Sequence, residues 1–263
     1  MSTENRVETV RTAAEAGGQV ALEGFRADID VEQKSDKTDV VTEADRAAQR
    51  RVIEIIREAY PDDPIVGEEE DAMKRVPSSG PAWVVDPIDG TNNFVRDVPL
   101  WTTAVAAVVD GDAVAASNVM PALDDTFELA DGTTRFNGVP ATVSTRSDPE
   151  TFRVVPLIWW GRDRRDEYAA ACREIVTRFG DLVRPVCAQY VLGMVATGQV
   201  DGAITNVVPN PWDVVGGVGM VRAAGGQVTN LTGDRWTPGD EGLVASNGAA
   251  HAELQTAVDS VVD

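Results

Sequence analysis

Two aspartates three residues apart directly follow an apolar run, Ala82-Trp83-Val84-Val85, that predicts a buried strand. The carboxylates of Asp86 and Asp89 can converge on one point only if the chain turns sharply between them. Pro87 fixes φ in this turn, and Gly90 permits backbone conformations that are closed to other residues. The segment therefore predicts a strand that ends in a tight turn carrying two convergent carboxylates.

The same turn offers ligands for a hard metal ion. A turn at the strand end would leave the Ile88 carbonyl free to join the oxygens of Asp86 and Asp89, which is the ligand type that Mg²⁺ prefers. Gly90 and Thr91 are expected to begin a helix, where backbone N–H groups are suited to bind a phosphate. A plain Asp-Gly turn with a capping aspartate is the alternative that this segment leaves open.

Two other acidic segments favour the metal site. Gly67-Glu68-Glu69-Glu70 follows a predicted strand at Ile65-Val66, and Trp212-Asp213 places a carboxylate at the predicted start of a helix. Taken singly, the glutamates fit a solvated charge run and Asp213 fits an N-cap. Their occurrence together with the aspartate turn favours a shared carboxylate centre.

Composition excludes several other kinds of chemistry and partner. Cys172 and Cys187 are isolated and His251 is the single histidine, so neither a zinc site nor a Ser-His-Asp triad is expected. A formal net charge of -20 argues against nucleic acid and anionic membranes as partners. No run approaches the roughly 18 to 20 apolar residues of a membrane span, and no secretory signal is recognisable, which predicts a cytoplasmic protein.

The balance of basic residues suggests a particular environment. Lys34, Lys37 and Lys74 are the only lysines among 23 basic residues, and acidic residues are spread along the chain. This pattern favours adaptation to a salty cytoplasm. An ordinary acidic protein that needs no salt is the alternative.

Hydrophobic periodicity predicts helices followed by strands in the first half and mixed elements in the second. The expected helices are residues 7–21, a helix after the N-cap Thr42 that stops at Tyr60, residues 165–179 closed by Gly180, residues 212–224, and residues 249–262. The expected strands are residues 65–66, 82–85, 102–109 and 113–119 as a hairpin, 126–129, 141–143, 153–159 and 200–204. A boundary near residues 146–151 predicts an N-terminal α+β half, 1–148, with most metal ligands. The C-terminal α/β half, 149–263, would carry Asp213 and the substrate loop, and the two halves would form one compact catalytic unit.

Taken together, these segments resemble the inositol monophosphatase family of lithium-sensitive, magnesium-dependent sugar phosphatases, which includes inositol monophosphatase/fructose-1,6-bisphosphatase relatives. Residues 86–94 together with Trp212-Asp213 are the most specific part of the resemblance. The rest of it lies in Lys34, residues 39–45, Gly67-Glu68-Glu69, Phe136-Asn137-Gly138, residues 195–198 and residues 223–226.

The resemblance implies an α+β fold, a layered α-β-α-β-α sandwich, and a phosphoric monoester hydrolase that forms a homodimer. It implies two or three Mg²⁺ ions, with Mn²⁺ as a substitute, on Glu68, Asp86, the Ile88 carbonyl, Asp89 and Asp213. It implies catalytic roles for Asp45, Glu68 and Thr91, with Asp45 and Thr91 hydrogen-bonding the nucleophilic water. Asp45 also fits a capping-box partner of Thr42.

The implied substrate is a small polyol or sugar phosphate, inositol-1-phosphate or fructose-1,6-bisphosphate. Gly90 and Thr91 would bind its phosphate. The implied substrate contacts are Asn92, Cys187, Ala188, Gln189 and Asn206, where Asn206 or a neighbour replaces a glutamate of well-known members. Gln189 and Tyr190 are bulkier than the small residues usual in this loop, and ordinary packing at a helix start is the alternative for them. Two other functions stay open: a catalytically silent phosphosugar-binding regulatory relative, and a 3′-phosphoadenosine nucleotide phosphatase.

Overall fold

The computed structural model describes residues 3–27, 31–33, 40–69, 72–158 and 160–262. Within these ranges the helices are α1 (Thr3–Gly24), α2 (Glu43–Ala59), α3 (Thr91–Phe94), α4 (Arg165–Arg178), α5 (Ala188–Ala196), α6 (Pro211–Ala223) and α7 (His251–Val262). None of the helices in these ranges is long and apolar enough to cross a membrane. Residues named in the predictions that lie outside the described ranges are Lys34, Lys37, Asp39, Glu70 and Trp159.

The strands form three sheets. Those of the first part of the chain are β1 (Val31–Gln33), β2 (Val40–Thr42), β3 (Ile65–Gly67), β4 (Pro81–Asp89), β5 (Thr102–Val109), β6 (Asp112–Met120), β7 (Asp125–Ala130), β8 (Thr133–Phe136) and β9 (Val139–Pro140). Those of the second part are β10 (Arg153–Pro156), β11 (Asp181–Leu182), β12 (Gly202–Thr205), β13 (Gln227–Thr229) and β14 (Leu243–Ser246).

The larger sheet runs in sequence order from β3 to β9, with β3 parallel to β4 and every later pair antiparallel. Side chains alternate between the two faces of a strand. Trp83 and Val85 of β4 therefore pack on one face against α1 and α2, and Ala82 and Val84 pack on the other face against α5 and α6. Both faces of this sheet are buried.

The smaller sheet has the order β11-β10-β12-β14-β13, and its β10–β11 and β10–β12 pairs are parallel. Val155 and Ala203 pack with α5 and α6, whereas Val154 and Ile204 pack with α4 and α7. Helices α5 and α6 thus lie between the two sheets. The predicted α+β fold with α-β-α-β-α layers is confirmed.

Several predicted boundaries needed correction. Residues 141–143 are not a strand; the Ala141 N–H donates to the Thr134 carbonyl as the chain leaves the sheet. The strand predicted at 153–159 ends at Pro156, and the one predicted at 200–204 begins at Gly202. Short apolar runs continue past strand ends, so periodicity alone misplaces these boundaries.

Gly180 ends α4 for a reason other than the one predicted. The helix leaves α geometry at Phe179, which is extended, and Gly180 is not among the residues with positive φ. A Cβ at this position would overlap the Glu150 carbonyl. The glycine is therefore needed for close backbone approach rather than for a left-handed cap. Helix α7 likewise starts two residues later than expected, at His251.

The single histidine gives a direct test of this packing. His251 is buried, and its Nε2 and Nδ1 lie 2.9 Å from Thr229 Oγ1 and 2.8 Å from Ser246 Oγ. Burial lowers the pKa of His251, because the charged ring loses water. The unfolded chain then binds the proton more readily, so the contribution of His251 to stability is complete at high pH and is lost as pH falls below about 6.5.

We therefore expect the ring-proton signal of this one histidine, followed by NMR from pH 8 downward, to titrate with a midpoint below about 6.5. Its position should be readable without assignment, because the sequence contains no second histidine. A midpoint at or above the ordinary value would contradict the buried placement of the ring.

Candidate active site

A β-bulge in β4 places the two aspartates of the turn on one face of the sheet. Asp86 pairs with Ala104 of β5, but Asp89 pairs with Thr102, so β4 holds one residue more than its partner between these pairs. Ala104 and Thr102 are two residues apart in β5, so their side chains share one face of the sheet. Residues paired across two strands face the same side, so Asp86 and Asp89 share that face too. Asp86 and Asp89 therefore both point toward the face covered by α5 and α6.

Local hydrogen bonds hold this turn. The Ile88 N–H donates to Asp86 Oδ1 at 3.1 Å, and Thr103 Oγ1 of β5 donates to the Pro87 carbonyl at 2.7 Å. Gly90 has φ of 91°, a left-handed conformation that favours glycine, and it caps the short helix α3. The predicted turn and helix start are both present.

Glu68 and Asp213 approach the turn from other elements. Asp213 lies in the first turn of α6, and Glu68 follows β3 and shares a side-chain hydrogen bond with Asp86. Gln49 of α2 holds the Glu68 segment through both backbone groups of Glu69, at 2.7 and 2.9 Å. Gln49 was missed in the sequence because a glutamine inside a helix gives no signal of such a long-range contact.

The pKa values of these carboxyl groups are raised first by burial and then by mutual repulsion. Burial raises the pKa of Asp86 well above its usual range, and the charges of Glu68, Asp89 and Asp213 raise it further. Burial likewise raises the pKa of Asp213, with Asp89 and Glu68 adding to the rise. Such a group of desolvated, mutually repelling carboxylates costs free energy, which a divalent cation would offset.

The donor set fits a hard cation because every candidate ligand atom is an oxygen. Among the described residues, no group of three or more Asp, Glu, Cys or His side chains is already drawn together around an ion-sized point. The Ile88 carbonyl accepts a hydrogen bond from Thr91 Oγ1 at 2.9 Å.

Asp45 makes the capping box of α2 and also lies beside Thr91. One oxygen, Oδ2, accepts from Thr42 N at 2.8 Å and from Thr42 Oγ1 at 2.6 Å, which makes the capping box of α2. The other oxygen, Oδ1, lies 3.4 Å from Thr91 Oγ1. Because Asp45 is fully buried, it holds the Thr91 hydroxyl from a fixed position.

Residues 187–189 contact Asp89 rather than facing open space. The thiol of Cys187 lies 3.2 Å from Asp89 Oδ2, and Gln189 N donates to the same oxygen at 2.5 Å. Burial raises the pKa of Asp89, and hydrogen bonds from the Gln189 and Ala188 amides and from Cys187 oppose that rise. The start of α5 therefore holds a predicted metal ligand.

The side chain of Gln189 does not lie where a substrate contact was predicted. It is 2% exposed and bonds to α6 and to Asn118 of β6 in the interior. Its side chain meets α6 at Gly217, where a Cβ would lie 3.1 Å from Gln189 Oε1 and would overlap Leu192 of α5. The Gln189 amide is therefore bonded to protein groups and not directed at a sugar hydroxyl.

Asn206 also has its amide engaged by protein groups. Trp160 Nε1 donates to its Oδ1 at 2.7 Å, and its Nδ2 donates to Glu167 Oε2 at 2.5 Å. Arg164 holds Glu167 by side-chain hydrogen bonds, and these lower the pKa of Glu167. Glu167 and Trp160 were not predicted, because nothing in the sequence links them to Asn206. Asn92 lies half-buried on α3.

The loop before α5 carries backbone strain. Val186 has φ of 61°, a left-handed conformation that a β-branched residue rarely adopts. Asn93 of α3 holds this loop, with Nδ2 donating to Leu100 O at 2.7 Å and to Pro185 O at 2.8 Å. The strain therefore lies directly beside the candidate site.

We expect Val186→Gly to stabilise the protein by about 0.5 kcal/mol. Relief of left-handed strain is worth roughly 1 to 2 kcal/mol, and the greater freedom of glycine in the unfolded chain offsets about half of it. Urea unfolding should show a higher midpoint with an unchanged slope. Val208→Gly is the matched control, since Val208 is exposed and not among the positive-φ residues. Equal effects at both positions would contradict the strain.

Comparison with known proteins agrees with this architecture. A model of the inositol monophosphatase family matches residues 3–263. The fructose-1,6-bisphosphatase/inositol-1-monophosphatase of Thermotoga maritima is 30% identical over 260 residues, covering 97% of this chain and 96% of that protein. A histidinol-phosphatase of Chlorobaculum parvum is 31% identical over 252 residues, covering 93% of each. The solved structure of an IMPase from Thermotoga maritima has a TM-score of 0.88 at 29% identity and covers 98% of both chains.

The chain belongs to the inositol monophosphatase family. This is a family of phosphoric monoester hydrolases that are generally metal-dependent.

Proposed function

We propose that this protein is a magnesium-dependent phosphatase that hydrolyses a small polyol or sugar phosphate, with inositol-1-phosphate and fructose-1,6-bisphosphate as the leading substrates. The observation that carries the proposal is the bulge of β4, which turns Asp86 and Asp89 toward the face where the first turn of α6 carries Asp213. The two halves, 1–148 and 149–263, both contribute ligands and act as one catalytic unit.

The residues that would hold Mg²⁺, or Mn²⁺ in its place, are Glu68, Asp86, the Ile88 carbonyl, Asp89 and Asp213. Two or three such ions, when bound, would lower the pKa of a coordinated water and neutralise the charge of the phosphate. This chemistry needs no histidine and no covalent intermediate, in keeping with the composition.

The chain itself would orient the attacking water. Thr91 Oγ1 would accept a hydrogen bond from the water, with its single proton turned from the Ile88 carbonyl to Asp45 Oδ1, which lies 3.4 Å away. The capping box fixes the opposite oxygen of Asp45, so the carboxylate cannot turn away. The backbone amides of Gly90 and Thr91 would bind the phosphate beside this pair.

The decisive experiment measures release of inorganic phosphate from a panel of esters, with and without Mg²⁺, and then with added lithium. The panel comprises inositol-1-phosphate, fructose-1,6-bisphosphate and 3′-phosphoadenosine 5′-phosphate, with histidinol phosphate added because of the Chlorobaculum parvum relative. We expect release only with the metal, and inhibition by lithium. Release without metal would overturn the proposal, and binding of an ester with no turnover would favour a regulatory phosphosugar-binding protein.

We also propose that the enzyme works as a homodimer in a salty cytoplasm. A formal charge of -20 makes the folded chain repel itself at low salt, and salt screens that repulsion. The unfolding temperature should rise from low to multimolar KCl. A protein that is equally stable at low and at multimolar KCl would contradict the adaptation to salt. Light scattering over the same salt series would test the dimer.

A further inference from the structure

Gln189 connects the starts of α5 and α6. The start of α5 bonds to Asp89 and the start of α6 carries Asp213, and both aspartates are predicted metal ligands. Gln189, in the first turn of α5, donates from its backbone N–H to Asp89 Oδ2 at 2.5 Å. Its side-chain Nε2 donates to the Trp212 carbonyl of α6 at 2.6 Å. Trp212 immediately precedes Asp213, so Gln189 contacts a ligand on one side and the neighbour of a ligand on the other.

The side chain of Gln189 also reaches the next turn of α6. Its Oε1 accepts from Gly217 N at 2.9 Å, a group whose partner within a regular helix would be the Asp213 carbonyl. Gly217 makes room for this approach, because a Cβ there would lie 3.1 Å from Oε1, closer than an ordinary contact. Both bonds therefore act on the turns of α6 that place Asp213.

Stability alone does not explain a glutamine here. Gln189 and Asn118 are almost completely buried among the apolar residues between the sheets, and Asn118 Nδ2 donates to Gln189 Oε1 at 3.0 Å. Among the described residues Asn118 Oδ1 is buried with no hydrogen-bond partner, which costs free energy that an apolar pair of similar volume would avoid. A role in fixing geometry accounts for the amide, since its bonds run to the helix that carries Asp213.

We propose that Gln189 is a positioning residue that sets the distance between the carboxylates of Asp89 and Asp213. Gln189 fixes Asp89 through the start of α5 and holds the first turns of α6 in register with it. This inference rests on the proposed function, because the distance matters only if both carboxylates bind the same metal centre.

The test is Gln189→Met, which keeps the length and backbone N–H but removes the amide. Titration calorimetry of the metal-free protein with Mg²⁺ alone should show affinity weakened about tenfold to a hundredfold, the usual effect of losing a group that orients a ligand. At saturating Mg²⁺, kcat should fall while KM for the ester changes little, since the side chain does not face the substrate. Gln189→Met/Asn118→Leu removes the second amide as well and should recover stability without recovering Mg²⁺ affinity.

Gln255→Met is the matched control. Gln255 Nε2 donates to the Leu231 carbonyl at 2.6 Å, a contact of the same type made by α7 on the far side of the smaller sheet. It should lower stability and leave Mg²⁺ affinity unchanged. One outcome is that wild type binds Mg²⁺ and hydrolyses esters while either folded Gln189 variant binds Mg²⁺ as tightly as wild type. In that case the positioning role of Gln189 is wrong and the proposed function stands. If wild type neither binds Mg²⁺ nor hydrolyses, the proposed function fails, and the inference fails with it.

Discussion

Asp213→Asn is expected to lower ester hydrolysis about a thousandfold, because a bound metal supplies several kcal/mol of transition-state stabilisation and each 1.36 kcal/mol is a factor of ten. Asparagine keeps the shape of the side chain and removes its charge. The metal-free variant should be at least as stable as wild type, since burial and the charges of Asp89 and Glu68 raise the pKa of Asp213 and make its ionised form costly.

Low activity together with undiminished stability would show that Asp213→Asn loses metal binding and not folding. Thermal unfolding with and without Mg²⁺ should show that the stabilisation by metal seen in wild type is reduced in the variant. Asp166→Asn is the matched control, because Asp166 also lies in the first turn of a helix, α4, and is exposed. Full activity in Asp213→Asn would overturn the assignment of the metal ligands.

Thr91→Val should reduce kcat about a hundredfold or more, the usual contribution of a positioned acid–base group. Valine has the shape of threonine without the hydroxyl that lies 2.9 Å from Ile88 O and 3.4 Å from Asp45 Oδ1. Thr91→Ser keeps this hydroxyl and should retain most of the activity. Steady-state kinetics at saturating Mg²⁺ would measure both variants.

The pairing of Thr91 with Asp45 can be tested by a double-mutant cycle. If both residues act on one water, Thr91→Val and Asp45→Asn together should be little worse than either alone. Additive losses would show that the two residues act separately. Thr134→Val is the control for loss of a buried hydroxyl, since Thr134 Oγ1 donates to the Met220 carbonyl at 2.6 Å and has no contact with Asp45 or Thr91 in the described structure. It should cost stability but leave kcat unchanged.

The parts of the molecule that the sequence predicted depend on short-range physics. Thr42 as an N-cap, the hairpin of β5 and β6, and the turn after Asp86 are set by neighbouring residues, and all are present. The layering of the fold came from a resemblance and not from periodicity. Strands β8, β9, β11, β13 and β14 were all missed, because two to four residues give too little pattern to recognise.

The contacts around the site could not be predicted in the same way. Gln189 was expected to face a substrate, yet its partners Trp212, Gly217 and Asn118 lie 23 to 71 residues away in the sequence. Asn206 was expected to meet sugar hydroxyls, and its partner Glu167 is 39 residues away. A polar side chain gives the same signal in a sequence whether it binds a ligand or another side chain, so only the packed structure separates the two.

The extra residue of β4 also limits how this stretch can vary in length. Positions three apart point to opposite faces of a regular strand, so Asp86 and Asp89 share a face only because the extra residue lies between them. Inserting one more residue here would turn one of the carboxylates toward α1 and α2. Deleting one would keep both carboxylates on one face but would restore regular pairing and remove the turn that carries the Ile88 carbonyl. Changes in length should therefore be confined to the turns elsewhere.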